Sequence, residues 1–298
     1  MTGERSGKEE IAILGLGKLG TAVGFLLKKA GHEIVAVATR TGQSLERGLP
    51  YTGGAPCASF AEAASLARCI FITTTDDTIA AVCREIAGSG ALKGKKVVHM
   101  SGAAGLDVLA PAKEDGAAVA SIHPIQSFAD IEGAIRNMPG STFGITCDEG
   151  LSDWCSGIAR DLGGRPVLIP EEDKALYHAA ACIASNYLVS LMNISQGIYE
   201  GIGLSPEEAF NAFWPLVKGT IKNIEENGAV ASLTGPIARG DVKTVERHLR
   251  AFREKRPELL GFYIKMAEMT VGVGLRKGSL KPAPAADILK SLKEVKDP

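Results

Sequence analysis

The feature that most constrains this chain is the run Ile11-Ala12-Ile13-Leu14-Gly15-Leu16-Gly17-Lys18-Leu19-Gly20. Four apolar residues have the length and hydrophobicity of a buried parallel strand. The glycines then follow at dinucleotide-fingerprint spacing, and each has its own task. Gly15 lets the chain turn sharply, Gly17 lets the backbone approach a pyrophosphate, and Gly20 lets the next helix pack closely on the strand. Free N–H groups at that helix start, with the helix dipole, suit a diphosphate. An amphipathic stretch over 21–30, a Gly31 stop and a second apolar run over 34–38 complete a βαβ opening.

The 298 residues suffice for two domains with their own cores. A formal net charge of −1 gives no polybasic surface for nucleic acid or anionic membrane. The chain has no uninterrupted run of 18 apolar residues, so a membrane span is not expected. Residues 1–10 are polar, lack the apolar region of a secretory signal, and read as a short disordered tail. The six cysteines, at 57, 69, 83, 147, 155 and 182, show neither C-x-x-C pairs nor metal-ligand spacing. Reduced thiols in a cytoplasmic protein, with no metal, are the expectation.

Strand-like runs recur at 34–38, 69–73, 96–100, 117–122, 142–146 and 166–169, with Ala-rich helical stretches such as 59–67 and 78–87 between them. This alternation predicts an α/β Rossmann domain with a mostly parallel, doubly wound sheet covered on both faces. After Pro170 the character changes. Residues 171–200 contain no proline and predict one helix of roughly 45 Å. Ser205-Pro206-Glu207-Glu208 starts another helix, which Trp214-Pro215 should kink or break. Asp241 and Pro257 open two more, and a basic helix ends the chain. The expected domains are therefore a dinucleotide-binding unit over 9–169 and an all-helical substrate and dimerisation unit over 170–298.

An acid about 20 residues past the glycines marks a preference for NAD. That position reads Thr39-Arg40-Thr41, an arginine between hydroxyls, which suits the 2′-phosphate of NADP better. Three further strand ends carry polar clusters: Thr74-Thr75-Asp76, Ser101-Gly102 and His123-Pro124. Ligands of open α/β sheets bind at such carboxyl ends. Thr75, Asp76, Ser101 and Gly102 are therefore cofactor-side candidates together with Gly15, Leu16, Gly17, Lys18, Leu19, Gly20, Thr39, Arg40 and Thr41.

The segments G-L-G-K-L-G, T-T-T-D-D-T-I, H-M-S-G, I-H-P-I-Q-S-F, K-A-L-Y-H-A-A-A-C-I-A-S-N-Y-L and L-T-G-P-I-A-R-G-D together resemble one group of oxidoreductases. Its members join a Rossmann-like domain to a domain of unknown function. They are similar to 6-phosphogluconate, 3-hydroxyisobutyrate, ketopantoate, pyrroline-5-carboxylate and prephenate dehydrogenases. The resemblance spans about residues 9–290. It implies an NAD(P)-binding domain, a helical domain opening with a long helix of catalytic side chains, and homodimers through the helical domains. Ketopantoate reductase-like chemistry is the leading expectation. Prephenate or pyrroline-5-carboxylate types, and a non-catalytic NADP(H) redox sensor, are the alternatives.

Two departures bear on the site. The nicotinamide-side loop has Thr74-Thr75-Asp76 where relatives carry a proline, and the common Lys-x-x-x-Asn pair reads Lys174-x-x-x-His178. Lys174 and His178, four apart on one helix face, are the catalytic candidates for binding or polarising a carbonyl and moving a proton. Asn186 lies about 18 Å from Lys174 along a straight helix, too far for one small substrate to touch both. Its reading stays open between substrate, cofactor-side and structural roles. Ser101, His123, Thr234 and Arg239 are the remaining substrate candidates. Arg239 sits in the glycine-flanked loop Thr234-Gly235-Pro236-Ile237-Ala238-Arg239-Gly240-Asp241 and could clamp a carboxylate.

Overall fold

A computed structural model describes residues 7–88 and 90–296. The chain divides into two compact units, Met1–Ser190 and Leu191–Pro298. The division falls about twenty residues after the composition change at Pro170.

The first unit runs β1 (Glu10–Leu14), α1 (Lys18–Ala30), β2 (Glu33–Ala38), α2 (Gly42–Thr52), β3 (Ala55–Pro56), α3 (Phe60–Ser65), β4 (Cys69–Ile72), α4 (Asp76–Ile86) and β5 (Lys96–His99). It continues with α5 (Ala110–Glu114), β6 (Ala118–Pro124), α6 (Ile131–Asn137), β7 (Thr142–Cys147), α7 (Ser152–Asp161), β8 (Arg165–Leu168) and α8 (Lys174–Ala184). The eight strands form one sheet in the order β3-β2-β1-β4-β5-β6-β7-β8. Every pairing is parallel except β6 with β7. This is the expected mostly parallel sheet. The antiparallel step and the two-residue edge strand β3 carry no separate sequence signal.

Strand periodicity divides the core in two. Ile11, Ile13, Phe71, Val98 and Ile122 pack on one face, and Ala12, Leu14, Ile70, Ile72, Val97 and Val119 on the other. Successive side chains point to opposite faces, so a sheet buried on both sides needs the continuous apolar runs seen here. Helices α1 and α7 contribute to the first cluster, and α3 and α4 to the second.

The expected N-terminal tail is shorter than its polarity suggests. Residues 1–6 lie outside the described residues, but Glu10 begins β1. The Glu9 carboxylate accepts from Trp154 Nε1 at 2.7 Å, Lys96 Nζ at 3.1 Å and Cys69 Sγ at 3.2 Å. All six cysteines are free thiols.

The long helix expected over 171–200 is divided. A single 3₁₀ turn, Glu171–Asp173, leads into α8, and Ser185 separates it from α9 (Asn186–Gly201). Ser185 has φ −115° and ψ −69°. Adjacent Ser and Asn are weak helix formers, because short polar side chains compete for the backbone. Glu171–Gly201 contains an 18-residue window of mean hydropathy 1.3 and is long enough to cross a membrane by length and composition alone. Yet Lys174 and Tyr177 on α8 hydrogen-bond to Ser121 and His123 of β6, so this half of the segment is packed on the sheet.

The second unit contains most of α9, then α10 (Pro206–Asn227), α11 (Pro236–Arg239), α12 (Val242–Lys255), α13 (Pro257–Lys277) and α14 (Pro282–Lys296). Its core is Val245, Leu249, Ile264, Val271, Ile288 and Leu292 with their neighbours. Ser205 and Glu208 form the reciprocal capping box read from sequence. Helix α10 runs through Pro215 without the expected break. Proline removes one N–H and leaves one carbonyl, that of Asn211, without its helical partner. Asn211 is exposed, so water can take that bond, while Phe210 stacks on Trp214 and packs edge-on against Phe213 across the proline turn.

Candidate active site

The carboxyl ends of β1, β2 and β4 build the first part of the site. Gly15 follows β1 with φ +115°, and a Cβ there would lie 2.9 Å from the Thr74 backbone N. A Cβ on Gly20 would collide with the Gly15 carbonyl and the Thr73 hydroxyl. Gly17 differs: it is the N-cap of α1, no side chain caps the helix, and a Cβ there meets nothing within 4 Å. Two of the glycines are thus fixed by packing, and the third faces free space in front of unpaired N–H groups.

That space is a cavity of about 220 Å³ lined by Gly15, Leu16, Gly17, Thr39, Arg40, Thr41, Ser44, Phe60, Thr73, Thr74 and Thr75. The structure therefore brings Arg40 and its flanking threonines to the glycine loop. Among the described residues no carboxylate lines the cavity. Thr41 caps α2 by accepting from Ser44 N at 3.3 Å, and its hydroxyl donates to Ser44 Oγ at 2.9 Å. Thr74 Oγ1 is buried without a hydrogen-bond partner among the described residues, a cost normally met by a hydrogen bond. Lys18 lines an adjoining cavity with Leu16, Gly17 and Arg47. Leu19 packs against the core, and Gly20 serves helix–strand contact. A cradle of open backbone, hydroxyls, arginine and one orphaned hydroxyl fits a dinucleotide.

The ends of β5 and β6 carry the second part. Ser101 Oγ donates to Asp76 Oδ2 at 2.7 Å and accepts from Ala103 N and Ala104 N. Its hydroxyl is therefore occupied in shaping the loop. His99, fully buried on β5, accepts from Ser101 N at 3.1 Å and faces the Gly105 carbonyl at 3.0 Å. Burial, reinforced by the Lys174 charge, lowers its pKa to about 4.

Helix α8 lies against β6. Lys174 and Tyr177, three residues apart and so on one helix face, meet Ser121 and His123, two residues apart and so on one strand face. Lys174 is 2% exposed, and its Nζ donates to Ser121 Oγ at 2.7 Å and to the Ser101 carbonyl at 3.2 Å. Desolvation lowers its pKa to about 8, with Asp76 and Glu171 opposing the shift. Tyr177 Oη lies 2.9 Å from His123 Nδ1. Burial, then the charges of Lys174, His178 and His99, bring the His123 pKa to about 4.

The His123 ring sits edge-to-face with both Tyr177 and His178, at 5.7 and 5.8 Å between centroids. Both imidazoles rest on Gly102, where a Cβ would lie 2.5 Å from His178 Cδ2 and 2.7 Å from His123 Cε1. They open onto a cavity of about 430 Å³ also lined by Gln126, Ser127, Cys182 and Asn186.

His123, His178 and Asn186 therefore share a cavity, while Lys174 is turned away into the strand ends. The break at Ser185 accompanies the entry of Asn186. Thr234 and Arg239 belong to the second unit. Both are exposed, Thr234 ahead of the Gly235 turn and Arg239 on the single turn of α11. Among the described residues no metal-binding group of three or more His, Cys, Asp or Glu occurs. Ser44, Phe60, Gln126, Ser127, Tyr177 and Cys182 are lining or contact residues that the sequence reading passed over. Tyr177, Gln126 and Ser127 lie inside motifs quoted above, but no spacing rule distinguishes them from core or turn residues.

A Rossmann-like domain profile matches residues 2–124, and the profile of a domain of unknown function (DUF2520) matches 141–270. No curated protein matches the chain. Among solved structures, protein TM1727 from Thermotoga maritima is similar at 28% identity and a TM-score of 0.72, covering 90% of this chain and 99% of its own. A Bacteroides fragilis protein assigned as an NADP oxidoreductase is similar at 20% identity and 0.68, covering 89% and 98%. The Plasmodium falciparum pyrroline carboxylate reductase, solved with NADP bound, has the same fold at 14% identity and 0.56, covering 90% and 99%. The chain is thus a Rossmann-like protein continued by a DUF2520 domain.

Proposed function

We propose that this chain is an NADP(H)-dependent oxidoreductase that passes hydride between the nicotinamide and a carbonyl or imine carbon of a small carboxylate. The carrying observation is the cavity that joins the glycine loop to Thr39, Arg40, Thr41 and Ser44 without a carboxylate. An acid there would hold ribose hydroxyls, whereas an arginine among hydroxyls suits a 2′-phosphate. The Bacteroides and Plasmodium neighbours support the same cofactor. Bound NADPH would supply the hydride.

His178 and His123 face the cavity and are the groups placed to bond a substrate oxygen or move a proton at it. Lys174 acts from behind them. Its buried charge raises the local potential and fixes the Ser101 and Ser121 strand ends. Ketopantoate is the substrate we favour. Prephenate- or pyrroline-5-carboxylate-type chemistry would use the same groups.

We also propose a homodimer in the reducing cytoplasm. Leu176, Ile183, Tyr187 and Val189 on α8 and α9 are 59–74% exposed, and Leu216 on α10 is 69% exposed. Apolar surface of this extent suits a second copy.

One observation favours a redox sensor instead. The Lys174 ammonium and the Ser101 hydroxyl, two expected substrate groups, are already bonded within the protein. Loss of NADPH absorbance against a panel of 2-oxo acids and cyclic imines decides the matter. Turnover of one class supports the enzyme. Tight NADPH binding with no turnover across the panel supports the sensor.

A further inference from the structure

We propose that Tyr177 is a positioning residue: its hydroxyl donates to His123 Nδ1 and so holds His123 as the Nε2–H tautomer, a hydrogen-bond donor for a substrate carbonyl oxygen. The inference rests on the oxidoreductase reading of the cavity and deepens it.

The geometry is built for this pair. His123 stands opposite Gly144 in the β6–β7 ladder, and the missing Cβ of Gly144 leaves the space that the Tyr177 hydroxyl fills. Of the two acceptors within reach of the phenol, His123 Nδ1 at 2.9 Å is much nearer than the His123 carbonyl at 3.5 Å, and the hydroxyl proton goes to the nearer one. An imidazole that accepts at Nδ1 carries its proton on Nε2.

His123 Nε2 lies on the ring edge over Gly102, has no hydrogen-bond partner among the described residues, and belongs to a ring that lines the cavity. It is an unused donor at the end of a rigid strand. Pro124 follows it and holds the backbone extended.

Burial, and after it the positive charges among the groups that face it, disfavours the charged form of His123. Those groups are Lys174, Tyr177 and His178 from α8 and His99 from β5, with no carboxylate among them. A neutral imidazole donor stabilises charge developing on a carbonyl oxygen and does not repel a substrate cation as an imidazolium would. Among substrates this arrangement favours a ketone oxygen over a protonated imine, which offers no acceptor.

The test is long-range ¹H–¹⁵N NMR of the full chain labelled at histidine, with NADPH-dependent kinetics on the 2-oxo acid panel. The expected result is His123 protonated at Nε2 and bare at Nδ1 near neutral pH. In Tyr177→Phe the signal should become a tautomer mixture, and kcat should fall roughly 10- to 100-fold with the NADPH KM within about two-fold. His123→Gln, which keeps an N–H donor, should retain more activity than His123→Ala. An Nδ1–H tautomer in the wild type, or a Tyr177→Phe variant with unchanged tautomer and kcat, would overturn the proposal. If Tyr177→Phe fails to fold, the wild-type tautomer decides. If no panel member is turned over, the oxidoreductase reading fails separately and the tautomer result still stands.

Discussion

Lys174 Nζ lies 2.7 Å from Ser121 Oγ, a buried ammonium held by a strand hydroxyl rather than by a carboxylate. A charge in that setting is costly, because two neutral acceptors replace the water it leaves. Burial pushes both His99 and His123 toward the neutral form, and the Lys174 charge behind them adds to that shift.

The Lys174 charge makes stability depend on pH in a defined window. The ammonium has a folded pKa of about 8 against an ordinary value of 10.5. Below pH 8 both states are protonated and the full penalty of the buried charge is present. Between about 8 and 10.5 the unfolded chain binds more protons, so stability rises with pH. At about 1.4 kcal/mol per unit the gain is of order 3 kcal/mol. Chemical denaturation should show wild type gaining on Lys174→Met across that window. Parallel pH curves for the two proteins would contradict the assignment.

Gly17→Ala and Gly20→Ala should separate binding from folding. A Cβ at Gly17 meets nothing within 4 Å, so the melting temperature should stay within about 2 °C while NADPH affinity falls at least roughly ten-fold. A Cβ at Gly20 collides with the Gly15 carbonyl and Thr73, so that variant should lose several kcal/mol, on the order of other overpacked cores, or fail to accumulate. Thermal melts with and without NADPH read both effects.

Arg40→Ala should raise the NADPH dissociation constant about 10- to 100-fold, the range expected for one lost charge-assisted phosphate contact, with little change for NADH. Calorimetric titration of both nucleotides measures this. A wild type that prefers NADH would remove the basis for the NADP assignment.

Gly102→Ala should cost activity more than stability. The added methyl group falls within 2.8 Å of atoms of His123 and His178, which are side-chain tips that can swing aside into the cavity. The expected outcome is a drop in kcat of roughly ten-fold or more from misplaced groups. The melting temperature should fall by only a few degrees.

If α8 and α9 meet a second copy, Val189→Glu should convert a dimer to a monomer in light-scattering chromatography, since Val189 is 69% exposed. A wild-type monomer would refute that part of the proposal.

The sequence by itself determined the sheet and the dinucleotide cradle. Residues 11–20 encode the first strand and the turn after it in an apolar run and glycines whose tasks are local, and the tight contacts at Gly15 and Gly20 are legible from that spacing. Arg40 was legible for the same reason, as it lies directly after a strand whose end is fixed. The tertiary structure alone decided the rest of the site. Whether Lys174 faces a cavity or a strand depends on how α8 lies along β6, which no helical period encodes. Tyr177 gains its role from Gly144, 33 positions earlier, and the two histidines gain theirs from the missing side chain of Gly102. Local hydrogen-bond and packing rules are written along the chain. The sharing of one cavity by His123, His178 and Asn186 arises only when strands and helices distant in sequence are brought together.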